Sequence, residues 1–291
     1  MLQELFNIIA PVFVCAGIGF TWARMGRPYD TEMVTALVTA IGAPCLIFNT
    51  LLGARADGAA LVQVGGATVA AVAIFAAVGV AGLMAFRLPL RAFLPTLMFP
   101  NAGNMGIPLC FLAFGDTGLA LSIAIFTVYC VLQFTLGVSI AAGSLSLGRL
   151  ARVPLIYAVA AAVAMMALDL PVPKWIDNTT RLLGGLTIPM MLITLGFSLA
   201  KLRVASLGRG VALAVARLVL GFSVGLLVAT LFGLEGAARG VVILECAMPV
   251  AVFNYLFAQR YGNRPEEVAG VVVASAILAF VTLPALLWYV I

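Results

Sequence analysis

The chain has 291 residues, 64% hydrophobic and 9% charged, with sixteen Lys and Arg against eleven Asp and Glu. A soluble domain carries roughly 25% charged residues, so composition alone predicts an integral membrane protein. The chain contains no histidine, which excludes histidine-based catalysis, haem ligation through histidine and most catalytic zinc sites.

Apolar runs of about 20 residues, enough for a helix to cross a ~30 Å hydrocarbon core, recur from end to end. Turn residues and charges divide them into ten predicted helices: 4–23, 31–53, 60–86, 91–114, 117–143, 152–170, 176–200, 209–232, 237–260 and 266–290. Short alternating segments of barrel type are not present. The first run, Leu5 to Ala23, follows Glu4 and no basic residue. It is also longer than a signal-peptide core, so it reads as a membrane helix. The stretch around 144–151 separates two halves, 1–143 and 152–291, and no soluble domain is inserted in either.

Positive charge sets the expected orientation. Arg24, Arg27, Arg87, Arg91, Arg149, Arg152, Lys201, Arg203, Arg209, Arg260 and Arg264 fall at the odd-numbered connections. The alternate connections carry Arg55, Lys174, Arg181 and Arg239 beside Asp57, Asp169, Asp177 and Glu235. Both termini are therefore expected outside the cytoplasm, with the protein in the plasma (inner) membrane. The net charge of +5 reflects this asymmetry, and nothing supports nucleic-acid binding.

Five helices per half oblige the second half to enter the membrane from the opposite side. TAIGAPCLIFNTLLG (39–53) parallels GGLTIPMMLITLGFS (184–198), aligning Pro44 with Pro189, and Pro108 aligns with Pro249. Each of the latter two prolines is followed by an interfacial glycine, in AFGDTG and QRYGNRP. The expected fold is an all-α polytopic membrane protein of ten transmembrane helices, arranged as a 5+5 inverted repeat with broken helices 4 and 9.

FPNAGNMGIPLCF (99–111) sets Pro100, Gly103, Gly106 and Pro108 in mid-membrane, interleaved with Asn101 and Asn104. LECAMPVAVFNYLF (244–257) places Pro249 in the fourth helix of the second half, with Asn254 and Tyr255 about one turn on. Broken helices are tolerated in lipid only within protein or beside a watery cavity, and mark transporter binding sites. A half-helix N-terminus beyond each break is equivalent to roughly +0.5 charge. Two converging N-termini favour an anion, most simply a monocarboxylate, without a lysine. Asn101, Asn104, Pro108, Pro249 and Asn254 are the candidate substrate-binding residues, and Pro100, Gly103 and Gly106 the helix breakers.

Arg217 and Glu245 sit eight and nine residues into their segments, ~12 and ~13 Å from opposite faces. In a ~30 Å core their heights differ by ~5 Å, so a pair is expected, with either a structural or a proton-coupling role. Asn49, Thr50, Tyr129 and Gln133 are further candidates for a cavity wall or for interhelical hydrogen bonds. Glycine pairs such as Gly221 and Gly225, or Gly65 and Gly66, read as close helix packing. All five cysteines lie in apolar segments without ligand spacing. Cys110 and Cys246 flank the break prolines and are candidates for the cavity wall. No metal and no cofactor is expected, and a coupling ion, if used, is H+ or Na+.

PNAGNMGIPL (100–109) resembles the helix-4 pattern PNTLVMGIPL of the auxin efflux carrier family, which includes plant PIN-type carriers and bacterial organic-acid carriers. AMPVAVFNYLFAQRYG (247–262) is similar to the helix-9 pattern ALPQGIVPFVFAKEY, and RLVLG (217–221) and TLPALLWYVI (282–291) also fit. The resemblance implies a fold related to bile-acid symporters and sodium/proton antiporters, with crossed helices 4 and 9. It further implies a dimerising scaffold from helices at 4–53 and 152–200. A mobile transport domain from helices at 60–143 and 209–290 would carry an organic anion by elevator movement, and the sequence does not distinguish an auxin-like compound, malate, malonate or another such anion. The chain lacks the long plant insertion between halves. It has Val250 and Asn254 where plant members carry a polar residue and a proline, and Glu245 where they carry an amide. These departures point away from auxin and toward proton coupling. A sodium- or proton-coupled symporter or antiporter, with Asn101, Glu245 and break carbonyls as sodium ligands, stands as an alternative, as does a membrane sensor that binds without transporting. An enzyme needs an acid pair, metal cluster or activated nucleophile, and Glu245 alone does not supply one.

Overall fold

A computed structural model describes residues 2–53, 58–144, 154–168, 170–202 and 207–291. The charges at Arg55, Asp57, Arg149, Arg152, Asp169 and Arg203 lie outside these residues. Among the described residues the chain is helical, with no strand beyond one isolated bridge between Pro100 and Val250.

The first half runs α1 (Leu2–Arg24), α2 (Thr31–Leu37), α3 (Ala43–Gly53), α4 (Gly58–Ala85), α5 (Leu90–Met98), α6 (Ile107–Leu132) and α7 (Val138–Ala142). The second runs α8 (Pro154–Ala167), α9 (Lys174–Gly185), α10 (Thr187–Lys201), α11 (Leu207–Leu231), α12 (Gly236–Cys246), α13 (Val252–Tyr261) and α14 (Pro265–Val290). Three π turns, Val38–Gly42, Ala102–Gly106 and Gln133–Gly137, join α2 to α3, lead into α6, and join α6 to α7.

Among the described residues, seven helices are long and apolar enough to cross a membrane. One of them, Ala102–Ala142, has 41 residues. As a straight helix it would be ~60 Å long, about twice the hydrocarbon thickness. It turns back at Gly115, whose φ of 62° and ψ of −149° are inaccessible to an ordinary side chain. Gly262, at the end of α13, likewise has φ 68° and caps its helix in the left-handed conformation. Both interfacial glycines of the sequence are thus turn residues.

Proline placement explains the helix boundaries. Pro44 and Pro108 are the second residues of α3 and α6, each two residues beyond a π turn that ends on glycine, IGAP and MGIP. Pro189 is the third residue of α10. A proline in the first turn lacks an N–H that has no helical partner anyway, and its fixed φ suits the helix. Pro108 therefore starts a helix and does not break one.

Small residues set the closest contacts, as membrane packing without a hydrophobic drive requires. α1 lies along α10, and a Cβ built on Gly19 or Gly196 would land on the Ile193 or Ala16 carbonyl. Gly221 and Gly225 of α11 likewise face the Cys246 carbonyl and Ile243 backbone of α12. Gly65 and Gly66 differ: they meet only the side chains of Val128 and Phe232, so they mark no close crossing. α3 packs on α8 and α9, α11 on α14, and α6 on α12.

The described connections rich in Arg and Lys gather at one end of the molecule. There Arg209 and Arg264 both pair with Glu267, and Asn263 Nδ2 donates to the Ala141 carbonyl at 2.7 Å. The Arg91 guanidinium packs over Gly143. Tyr29, in the first connection, bonds to Thr194 at 2.7 Å and stacks on Phe197, four residues before Lys201. Burial holds the Tyr29 phenol above its ordinary range, the bond to Thr194 offsetting part of that shift.

Candidate functional site

α5 ends at Met98, where Phe99 turns extended, and α12 ends at Cys246, where a turn at Ala247 leads into a short non-helical stretch through Ala251. The two stretches cross and exchange hydrogen bonds. Asn101 N–H donates to the Pro249 carbonyl at 2.7 Å, and Ala251 N–H donates to the Phe99 carbonyl at 3.2 Å. Pro100 and Val250 occupy the position between these bonds, where a proline's missing donor costs no ladder bond to the opposing strand. Val250 N–H is met by Ser275 Oγ at 3.0 Å. The crossing thereby satisfies backbone groups that lipid would leave bare.

The first break is therefore at Phe99 to Asn101, not at Pro108. Helix resumes at Ala102, with Asn101 as its N-cap. In space Val250 faces Pro100, so the alignment of Pro108 with Pro249 does not hold at the breaks. Pro249 lies within its break as expected. Gly103 and Gly106 have no positive φ; they are there for space. A Cβ on Gly103 would strike the Phe126 ring, and one on Gly106 would fall on the Glu245 carboxylate.

Beside the crossing lies a cavity of about 50 Å3, room for about three or four waters. Its wall includes Pro100, Asn101, Asn104 and Gln133, with Thr35 and Thr39 across from α2 and the first π turn, and Met191 and Thr194 from α10. All three π turns reach this wall, a common placement at functional sites. The first residues of both resumed helices, Ala102 to Asn104 in one and Ala251 and Phe253 in the other, also border it. Asn101 is 5% exposed, and among the described residues its side-chain amide has no partner. A vestibule of about 190 Å3 adjoins this cavity, sharing Thr35, Asn104, Thr194 and Phe253 with it, and reaches Lys201 and Tyr255 at the basic end.

The other candidates are placed differently. Asn254 is buried away from the cavity: its Nδ2 donates to the Phe99 carbonyl at 3.1 Å, and its Oδ1 accepts from Gln133 Nε2 at 3.2 Å. It repairs the opposite break rather than its own. Asn49 and Thr50 line a separate pocket of about 310 Å3 with Asp116 and Arg181, and Asn49 bonds to Thr180. Pro108 is buried outside the cavity. Cys110 and Cys246 are also off the cavity wall. Cys110 Sγ donates to Glu245 Oε1 at 3.7 Å, and Cys246 Sγ contacts the Tyr129 hydroxyl at 3.6 Å.

The expected Arg217–Glu245 pair is not formed. Both side chains are fully buried, yet Arg217 donates from Nη2 to the Cys246 carbonyl at 2.8 Å and lies over the Phe75 ring at 4.7 Å. Cys246 ends α12, where carbonyls lack helical partners and the helix dipole is negative, so Arg217 caps the broken helix. Sequence reading missed Thr35, Thr39, Met191, Thr194, Phe253 and Ser275. The pair Thr35 and Thr39, four apart beside IGAP, was the available signal; the rest depend on helix crossings.

A helical bundle whose two broken helices clasp each other beside an amide-lined cavity defines a class, the membrane carriers. The chain belongs to the membrane transport protein family of auxin efflux carrier type, which matches residues 5–147 and 143–289. It is thus a multi-pass membrane transporter. No curated protein matches the chain.

Proposed function

We propose that the protein is a secondary carrier of a small organic anion, a mono- or dicarboxylate, held at the crossing of the two broken helices. The observation that carries this reading is Asn101: a buried amide with no partner among the described residues, on a wall that also holds the starts of both resumed helices. Those starts supply positive potential without a buried base, and Lys201 extends it along the vestibule. The carboxylate head fits at the crossing, and the remainder of the solute points into the vestibule.

In this reading the ten segments form a 5+5 inverted repeat. α1–α3 and α8–α10 are the scaffold, through which two copies dimerise; α4–α7 and α11–α14 are the mobile domain, which moves elevator-fashion. Packing of α1 on α10 and of α3 on α8 and α9, against packing of α11 on α12 and α14, supports that division. The cavity lies where the two groups meet, lined from both. The basic end faces the cytoplasm, with the protein in the inner membrane, so the vestibule opens inward.

Losing a hydrogen bond to a charged group costs about 1.5–3 kcal/mol, or roughly ten- to 150-fold in affinity. Asn101→Ala should weaken carboxylate binding by that factor with little change in thermal stability. Binding is read by stabilisation of the purified protein against a panel of small carboxylates, and flux by labelled uptake into proteoliposomes. Normal binding and flux in Asn101→Ala defeat the site; carriage of neutral or cationic solutes alone defeats the anion.

A further inference from the structure

Two buried charges flank the second break without meeting. Arg217 donates from Nη2 to the Cys246 carbonyl and lies over the Phe75 ring, while its Nε and Nη1 have no partner among the described residues. Glu245 has one weak partner among the described residues: Oε1 accepts from the Cys110 thiol, and Oε2 meets none of them. An ionised carboxylate in such a place lacks both water and a cation, and burying it that way is strongly unfavourable. A neutral carboxylic acid fits the same surroundings, since it carries no charge to compensate.

A metal cation does not fit. Hard cations take several oxygen ligands, and Glu245 is met by sulfur on one side and by the Cα of Gly106 on the other. Among the described residues no cluster of three metal-ligating side chains exists. The charged and titratable groups acting near Glu245 are Cys110 on α6, Cys246 beside it on α12, Tyr129 on the second run of α6, and Arg217 on α11, which acts on the last two. α4, α14 and the π turn at Ala102–Gly106 contribute none. These surroundings suit a proton better than a hard divalent cation.

We propose that Glu245 is a proton-binding site of the carrier, neutral in this conformation and ionised when its surroundings open. Opening breaks one O–H bond, leaving a carboxylate and passing H+ to water on the open side, with no oxidation or reduction. Arg217 is the cation at hand for the carboxylate so formed. Glu245 packs on Gly106, the last residue of the π turn that Asn101 caps, so the proton and the anion lie at opposite ends of one short segment. The coupling rests on the carrier reading; the proton site itself does not.

Infrared spectra of the protein in lipid, taken across a pH series, test the site directly. Wild type should show a protonated-carboxyl band that titrates, absent in Glu245→Gln and shifted in Cys110→Ser, where a hydroxyl replaces the thiol on Oε1. A missing band, or one unaltered by both substitutions, overturns the proposal. Coupling is read with labelled pyruvate in proteoliposomes, with protein-free vesicles as baseline. One proton per monocarboxylate gives about tenfold accumulation per unit of pH difference, and Glu245→Gln should bring this close to onefold. Gradient-driven accumulation that survives in Glu245→Gln overturns the coupling. If wild type carries neither pyruvate nor malate, the carrier reading fails and the infrared band still decides the proton site.

Discussion

At the residue scale, the side chains with unusual chemistry stood out because lipid penalises them. Asn101, Arg217 and Glu245 were legible for that reason, whereas their partners depend on how helices cross. Asn254 shows the limit: an amide one turn beyond a proline reads as a ligand, and in the fold it holds the other break's Phe99 carbonyl. Gly106 shows another. A glycine near prolines reads as a backbone joint, but its φ of −64° is helical, and its value lies in the space it leaves for Glu245. Gly106→Ala should therefore force the carboxylate off Cys110 and cost about 1–3 kcal/mol, the usual penalty of overpacking. Because the clash is with one side chain, Glu245→Ala in the same chain should recover part of that loss. Thermal unfolding of the two single variants and the double variant measures it; additive losses would show that the two residues do not compete for space.

At the element scale, an all-helical membrane chain was readable from apolar length and turn residues, and among the described residues seven helices are long and apolar enough to span. Of the two prolines read at the first break, Pro100 lies in it and Pro108 does not. The chain breaks at FPN, where extended residues find a partner strand, and uses MGIP to restart a helix. The closeness of α1 and α10 was not legible, since GxG and LGF motifs look alike on packed and lipid-facing surfaces. Gly19 and Gly196 meet opposing backbone rather than a movable side chain. Gly196→Ala must therefore separate two helices, and should cost at least ~3 kcal/mol, at or beyond the upper end of overpacking penalties. Gly17→Ala, on the same helix but with open space around it, should be nearly neutral. Equal melting temperatures for the two variants would mean that the α1–α10 contact contributes little.

At the scale of the whole molecule, charge asymmetry was the clearest signal, because it needs only a count along the chain. The described connections carrying that charge cluster at one end, and the vestibule opens beside them. If this end is cytoplasmic, cysteines introduced as Gln3→Cys and Ile291→Cys, in a background lacking Cys15 and Cys45, should react with an impermeant maleimide on intact cells. Protection of both sites until lysis reverses the orientation. The division into scaffold and mobile domain was implied by resemblance rather than by pattern, since apolar faces toward lipid and toward protein have the same composition.

The three π turns around the cavity have a consequence for how such a pocket changes over generations. In an ordinary membrane helix, losing one residue rotates everything beyond it by about 100° and exchanges its lipid and protein faces. A π turn holds one residue more than the α-helix requires, so a deletion there removes the bulge and leaves the flanking helices facing as before. Val38–Gly42, Ala102–Gly106 and Gln133–Gly137 are thus places where loss of a single codon recontours the cavity while the bundle keeps its outer surface. Selectivity in this scaffold can then diverge through length as readily as through side-chain replacement.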